Sequence, residues 1–253
     1  GTVYHDPGNL NFAFILNSEK GKQVDFRKYT LPVIDFLASL GVNAEFEGNS
    51  DLRVKGLKIS GNAEHVFRNR VLHHGTLLFD SRLDLLSSSL RKDTGHYITR
   101  AVRSNPSKVT NLSSLLKDSL KDLFPVSSGS SVTIQALRTL MRKWFFDNYP
   151  GMESYLLSGS QVGMAEELAR SKYATWEWNY AYGPEYSVTG TFEIGNLHHH
   201  YRMHVREGII TECETEGLKG DQIASLLKGR RHMVNDLEHL VKNENIFGHG
   251  FDV

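Results

Sequence analysis

The stretch from residue 52 to residue 80, LRVKGLKISGNAEHVFRNRVLHHGTLLFD, gives the strongest indication of the fold class. Aliphatic and β-branched residues recur along it, and turn-forming residues interrupt it at Lys55-Gly56 and around Arg68-Asn69-Arg70. Short runs of this composition between turn residues are typical of strands joined as hairpins. The stretch therefore predicts two or three strands of an antiparallel sheet.

The residues before this stretch add a strand and a helix. Apolar residues at every second position from Leu10 to Leu16 indicate a strand. From Thr30 the apolar residues recur at helical spacing, so we predict Thr30 as the helix N-cap and Gly41 as the point where the helix stops. A further short strand is predicted over 44–47.

The residues after this stretch alternate between helices and loops. The segment from Arg91 to Lys108 has little periodicity, so it is predicted to be a long surface loop and a candidate lid. Helices are predicted over 84–90, 111–120, 132–146 and 161–170. A three-stranded meander is predicted over 186–194, 197–205 and 209–214, followed by helices near 222–227 and 233–241.

Hairpin-type strand pairs mixed with helices predict an α+β protein with mixed or antiparallel sheets and flanking helices. The meander and the two helices after it are enough for a small α+β domain of their own. We therefore predict a large domain over 1–175 and a small C-terminal domain over 176–253.

Composition excludes several classes of function. Among 253 residues, 29 Lys and Arg balance 29 Asp and Glu, so no global field favours nucleic acid or an anionic membrane as a partner. Cys213 is the only cysteine, which excludes an intramolecular disulfide and a CxxC metal or redox site. No apolar run is long enough to cross a bilayer. A charged ligand must therefore be recognised by a local site.

Three local patterns could carry chemistry. Gly1-Thr2-Val3-Tyr4 puts a glycine beside a strand, where backbone N–H groups can approach a phosphate, although the pattern also fits a strand that leads into a turn. Lys58 shares a strand face with Ser60 by alternation, and it would be an ordinary solvated lysine unless its amine points into a cleft. Of His73 and His74, only one can face a cleft.

No metal-binding pattern is predicted. His73 and His74 point to opposite sides of a strand, and no third ligand follows at a recognisable spacing. His198, His200 and His204 share one strand face, but the rise per residue spreads them over roughly 20 Å. We interpret these histidines as part of a solvated sheet face.

The order and spacing of these patterns closely resemble the lipoate–protein ligase A family. The resemblance rests on GTVYHDPGNLNF at residues 1–12, KISGNA at 58–63, HHGTLL at 73–78, KVTNL at 108–112 and TWEW at 175–178. It covers essentially the whole chain, with the motifs in the family's order.

This resemblance implies a catalytic domain of the biotin/lipoate ligase type at 1–175 and an accessory domain at 176–253. It implies a reaction in which lipoate and Mg²⁺-ATP give lipoyl-AMP, which then acylates a lysine of a lipoyl domain. Lys58 would be the catalytic residue that contacts both substrates, His5 and His74 would lie near lipoate, and Gly1, Thr2, Val3 and Tyr4 would join Lys58 in binding ATP. The acceptors would be lipoyl domains of 2-oxoacid dehydrogenase complexes or the glycine-cleavage H protein. Bacterial cytoplasm and mitochondrial matrix both fit.

Two alternatives stay open. One is a lipoyl or octanoyl transferase that uses no ATP, which the small C-terminal domain and the position of Cys213 disfavour. The other is a non-catalytic protein that binds lipoate or a lipoyl domain. The family's Arg-Arg-x-Ser-Gly-Gly run, which would precede Gly1, is missing, so we expect a separate or cleaved N-terminal segment that docks back onto the chain.

Overall fold

The computed structural model describes residues 4–17, 21, 24–89, 95–101, 107–116, 133–194 and 197–233. These residues form two compact units. One unit contains 4–89, 107–116 and 133–154, apart from the gaps already given, and the other contains 95–101, 155–194 and 197–233. In the described part of the chain, every helix is too short or too polar to cross a membrane.

The first unit is built on a five-stranded antiparallel sheet. Its strands are β1 (Asn9–Asn17), β2 (Glu45–Glu47), β3 (Asp51–Val54), β4 (Leu57–Phe67) and β5 (Arg70–Leu78). Their order across the sheet is β1-β5-β4-β3-β2. The predicted turns are present, because Lys55 and Arg68 both adopt the left-handed backbone conformation, with φ of 50° and 56°. The strands predicted from the sequence of this unit are therefore confirmed.

The described part of this unit has four helices, and all but the second pack on one face of the sheet and close the core. They are α1 (Phe26–Ser39), α2 (Leu83–Ser89), α3 (Leu112–Leu116) and α4 (Ile134–Asn148). Fully buried side chains from α1, the strands, α3 and α4 pack together, among them Phe36, Leu37, Leu52, Ile59, Leu77, Leu112 and Leu137. Burial of this apolar surface is the main source of stability for the unit.

The start of α1 differs from the prediction. Asp25, not Thr30, is the N-cap, and its side chain accepts a hydrogen bond from the backbone N–H of Lys28 at 3.0 Å. Thr30 lies inside the helix, where its hydroxyl donates to the carbonyl of Phe26 at 2.8 Å. Prediction of Thr30 as the cap was wrong because a threonine can satisfy its hydroxyl against the preceding turn. Gly41 does follow the helix end, with φ of 76°.

The second unit is built on a four-stranded antiparallel sheet. Its strands are β6 (His96–Thr99), β7 (Tyr186–Ile194), β8 (Leu197–Arg206) and β9 (Ile209–Glu216), in that order across the sheet. Its helices are α5 (Gly159–Leu168) and α6 (Gly220–Leu227), with π-helical turns at Ala169–Tyr173 and Glu177–Ala181. α6 buries Ile223 and Leu227 against Val188, Val205 and Ile210 of the sheet.

Strand β6 corrects the prediction of an unstructured loop over 91–108. Residues His96–Thr99 pair with β7, so that Thr99 lies opposite Tyr186 and His96 lies opposite Thr189. Their pairing partner lies about ninety positions along the chain, so no local pattern indicated it. The predicted lid lies partly outside the described residues, as do the predicted helical residues 117–120 and 234–241.

The predicted domains, 1–175 and 176–253, stay a prediction. The contacts group the residues from Tyr155 onward with the segment that contains β6. The second unit, which is built on strands β6 to β9, thus comes from two separate parts of the sequence. The fold class of the protein is α+β, as predicted, and the sheets of both units are antiparallel.

We predict that Asp25→Ala lowers the free energy of unfolding by about 1 kcal/mol, because the helix loses its capping acceptor. Thr30→Val should change it by less than about 0.5 kcal/mol, since valine has the same shape and the hydroxyl serves only the helix interior. Urea denaturation of both variants measures the difference. A larger loss for Thr30→Val than for Asp25→Ala would contradict this assignment of the cap.

Candidate functional site

The five-stranded sheet has one face packed by helices and one open face. Gly61 lies opposite Thr76, and Ala63 lies opposite His74, so these four residues share a face. Ala63 and His74 are exposed. The other face carries His73, which is completely buried. The adjacent histidines therefore point to opposite sides of the sheet, as predicted, and His74 is the one on the open face.

A β-bulge directs the side chain of Lys58. Arg53 pairs with Lys58 and Leu52 pairs with Ser60, so Ile59 is an extra residue in β4. The simple alternation that placed Lys58 and Ser60 on one face is therefore broken: Ser60 is fully buried, whereas the Lys58 side chain is 28% exposed. The Lys58 amine lies on the Gly61 side, because a Cβ added to Gly61 would be 3.2 Å from Nζ.

The backbone of Lys58 is fixed by a segment from far along the chain. Its N–H donates to the carbonyl of Lys108 at 2.9 Å, and its carbonyl accepts from the N–H of Thr110 at 3.1 Å. Lys58 and Val109 thus form a parallel bridge. The next residue, Asn111, donates to the carbonyl of Ser81 and accepts from its N–H. The KVTNL motif therefore joins the start of β4 to the loop that follows β5.

A turn at Asp6 fixes the segment before β1. The Asp6 carboxylate accepts hydrogen bonds from the backbone N–H of Gly8 at 2.9 Å and from that of Arg82 at 2.7 Å. The carbonyl of Gly8 accepts from the N–H groups of Phe79 and Asp80, both at 3.0 Å. A Cβ on Gly8 would lie 2.2 Å from the carbonyl oxygen of Asp80, so only glycine fits there.

The electrostatics of this turn favour an ionised Asp6 and a neutral Tyr4. Desolvation acts to raise the pKa of the Asp6 carboxyl, but the backbone donors of Arg82 and Gly8 outweigh it and hold that pKa below its ordinary value. Desolvation, followed by the neighbouring Asp6 charge, raises the pKa of the Tyr4 hydroxyl. Tyr4 is therefore a neutral side chain beside a fixed anion.

The structure brings several of the predicted site residues to one end of the sheet. Because the strands are antiparallel, the start of β1, the end of β5 and the start of β4 meet there, which places the Tyr4–His5 segment at the same end as Lys58. His5 is exposed, and His74 is on the same sheet face as the Lys58 amine. The other predicted residues, Gly1, Thr2 and Val3, lie outside the described residues.

His73 holds the buried side of the sheet against α1. Its Nδ1 is 2.9 Å from Oε1 of Glu64, and the exposed fractions of the two side chains are 0% and 2%. The second oxygen of Glu64 accepts from the backbone N–H of Asp25 at 3.1 Å. The aromatic rings of Phe14 and Tyr29 flank the imidazole. This pair fixes the strand that presents His74 on the other side.

Sequence reasoning missed the partners of Lys58. Nζ of Lys58 is 2.7 Å from Oδ1 of Asp51, and the other oxygen of Asp51 is 3.0 Å from Nη2 of Arg53. A signal for this was present, because Asp51 and Arg53 flank the apolar Leu52 and so share the polar face of the strand that precedes Lys58. The sequence could not show which register would bring them together.

His198, His200 and His204 of β8 share one face of the second sheet, where His198 and His200 are exposed, whereas His199 points to the other face and is buried. His198 is 3.0 Å from Glu193, and His204 is 3.7 Å from Glu185. His200 lies opposite Glu216. Within the described ranges, no group of three or more His, Cys, Asp or Glu side chains is arranged to hold a metal ion.

The arrangement around Lys58 suits the binding of anions. It offers an ammonium on an open sheet face, at an end where three chain segments are fixed by backbone hydrogen bonds. A cation on a rigid frame stabilises negative charge without reorganising when the ligand arrives. The apolar residues of the same face can contact a hydrocarbon chain.

The sequence of this chain is similar to those of known proteins. Residues 1–144 match the sequence profile of the lipoyl protein ligase A/B catalytic domain. The chain is 33% identical to the lipoate-protein ligase LplJ of Bacillus subtilis over 260 residues, which cover 98% of this chain and 74% of that protein. It is 35% identical to lipoate–protein ligase 1 of Staphylococcus aureus over 187 residues, which cover 74% of this chain and 53% of that protein.

A solved structure shares the fold. The crystal structure of P. falciparum LipL1 in complex with lipoate aligns with 95% of this chain and 68% of its own chain, with a TM-score of 0.51. The two sequences are 19% identical, so this likeness concerns the fold alone.

We predict that the stabilising effect of the Asp6 carboxylate depends on pH. Because folding lowers its pKa, the charge stabilises the fold fully above the unfolded pKa of about 3.9, and the effect is lost as the pH falls through the lower folded value. Urea denaturation from pH 7 to pH 3 should show wild type more stable than Asp6→Asn, with a difference that shrinks below about pH 4. Asp147→Asn removes another carboxylate from the same unit as a control. A difference that is constant down to pH 3 would contradict the prediction.

Proposed function

The chain belongs to the lipoyl protein ligase A/B family, and we propose that it activates lipoate with ATP and transfers the lipoyl group to a lysine of a lipoyl domain. The observation that carries the proposal is the position of Lys58. Its ammonium lies on the open face of the sheet, at the end where the Tyr4–His5 segment and the KVTNL motif meet. Two segments that are widely separated in sequence thus lie at the same end of the sheet as this cation.

The first step joins two anions. An oxygen of the lipoate carboxylate attacks the α-phosphorus of ATP, the bond from that phosphorus to the bridging oxygen of the β-phosphate breaks, and pyrophosphate leaves. Lipoyl-AMP, a mixed anhydride, is the product. The repulsion between carboxylate and phosphate opposes this step, and the Lys58 ammonium between them offsets it. Holding both reactants in line lowers the entropic part of the barrier.

The second step transfers the acyl group. The ε-amine of the acceptor lysine attacks the lipoyl carbonyl carbon, the bond to the AMP oxygen breaks, and the amine gives up a proton to water as the amide forms. AMP is the leaving group. Lys58 stabilises it, because the ammonium that offset the charge of the α-phosphate remains beside the same phosphate.

Further residues complete the proposed site. Gly1, Thr2, Val3 and Tyr4 would join Lys58 in binding ATP, which enters as its Mg²⁺ complex with the ion as part of the substrate. His5 and His74 would join Lys58 in binding lipoate. Support for His74 comes from its place on the open face of the sheet, with Ala63 opposite it.

The acceptors we propose are lipoyl domains of 2-oxoacid dehydrogenase complexes or the glycine-cleavage H protein, in bacterial cytoplasm or mitochondrial matrix. Residues 1–175 would form the catalytic domain and 176–253 the accessory domain. Exposed apolar side chains near the far end of the open face, Ile15 at 70% and Phe67 at 62% exposure, offer a surface against which a further apolar segment can pack.

We predict that Lys58→Met lowers the rate of lipoate-dependent pyrophosphate release by about 100-fold or more, because the charge between the reactants is lost. Incubation with lipoate, Mg²⁺-ATP and an apo lipoyl domain, followed by intact mass, measures transfer in parallel. Lys143→Met is a matched control, since Lys143 pairs with Asp147 on the surface of α4.

Three outcomes separate the alternatives. A wild-type chain that transfers an octanoyl or lipoyl group without consuming ATP would be a transferase. A chain that binds lipoate but modifies no acceptor would be a binding protein. Full activity of Lys58→Met would exclude the proposed role of this lysine.

A further inference from the structure

The Lys58 ammonium is held by a carboxylate. Oδ1 of Asp51 is 2.7 Å from Nζ, and the exposed fractions of the two side chains are 28% for Lys58 and 18% for Asp51. At this burial the pair is only partly screened by water. Any anionic substrate must therefore compete with Asp51 for the same ammonium.

Asp51 has a second cation of its own. Its Oδ2 is 3.0 Å from Nη2 of Arg53, and Nε of Arg53 is 3.2 Å from Oε1 of Glu47. The guanidinium also donates to the hydroxyl of Ser107 at 3.0 Å and to the carbonyl of Gly56 at 3.0 Å. Arg53 is therefore fixed by several contacts. It keeps Asp51 in place whether or not Lys58 is paired with Asp51.

The charges of this network cancel. Lys58 and Arg53 supply two positive charges, and Asp51 and Glu47 supply two negative ones. When Lys58 turns towards a substrate, Asp51 still has Arg53 as a partner, so no carboxylate is left uncompensated. Movement can be confined to the Lys58 side chain, because its backbone is paired with Lys108 and Thr110.

We propose that Asp51 is a positioning residue for Lys58, which it holds in place between turnovers and releases to the bound anions. This inference rests on the proposed function. A long lysine side chain has many rotamers, and a fixed carboxylate restricts them. Gly61 supports this arrangement, because a Cβ at that position would be 3.2 Å from both Cε and Nζ of Lys58.

Two opposite effects follow from this role. The Asp51 charge lowers the affinity for anions, because it competes for Lys58. The same contact raises the rate, because it keeps the ammonium where the reactants meet. Removal of the charge should therefore strengthen ATP binding and slow adenylation, whereas a purely structural residue would weaken both.

We predict that Asp51→Asn binds ATP about fivefold more tightly, since the carboxylate that competes with the anion for the Lys58 ammonium is gone. Its rate of lipoyl-AMP formation at saturating substrates should fall about tenfold. Isothermal titration calorimetry with ATP alone gives the affinity, and lipoate-dependent pyrophosphate release gives the rate. Asp147→Asn, a surface carboxylate of the same unit, should change neither quantity by more than about twofold.

A double-mutant cycle shows whether Asp51 acts through Lys58. In a Lys58→Met background, Asp51→Asn should alter ATP affinity by less than about twofold, because there is no ammonium left to release. Asp51→Glu retains the charge and should keep most of the wild-type rate, which also keeps the test decisive if Asp51→Asn does not fold.

Three results would overturn the inference: weaker ATP binding by Asp51→Asn, unchanged affinity and rate, or the same affinity change without Lys58. Failure of the proposed function looks different, since wild type would then release no pyrophosphate with lipoate. The four ATP affinities of the cycle would still decide whether Asp51 competes for the ammonium.

Discussion

The two hydrogen bonds that the peptide groups of Lys58 make with Lys108 and Thr110 are the constraint on which the site depends. They hold the first residues of β4 against a segment that also fixes the loop after β5 through Asn111 and Ser81. Backbone hydrogen bonds of this kind fix the position and direction of the Cα–Cβ bond from which the side chain extends. A flexible lysine can therefore act at a defined place although it lies at the end of a strand, next to a bulge.

One face of the first sheet is buried and the other is open, and β5 contributes the adjacent residues His73 and His74 to opposite faces. His73 packs among aromatic rings and bonds to Glu64, which in turn binds the start of α1. His74, one residue later, lies on the open face. Rigidity on the buried face thus supports the binding that we propose for the open face, because a strand that is fixed on one side cannot shift its register on the other.

Much of the fold could be predicted from the sequence where the determining interactions are local. The predicted hairpin from β4 to β5 is confirmed. It could be predicted because its turn residues lie between two runs in which apolar and polar residues alternate. Strand β6 was missed because its partner, β7, is remote in sequence. The same distinction applies to the site. Lys58 could be proposed as a site residue from its motif, whereas its partner Asp51 depends on a register that the bulge shifts by one residue.

Strand β6 has a consequence for how this protein can be divided. It forms the edge of the second sheet and comes from a segment that precedes the rest of that unit by more than fifty residues. A fragment starting at Tyr155 would lack this strand and would leave the N–H and C=O groups of β7 open along Tyr186–Thr189. Such an unpaired edge readily recruits a strand from a neighbouring molecule, so the excised unit would be prone to strand exchange and aggregation.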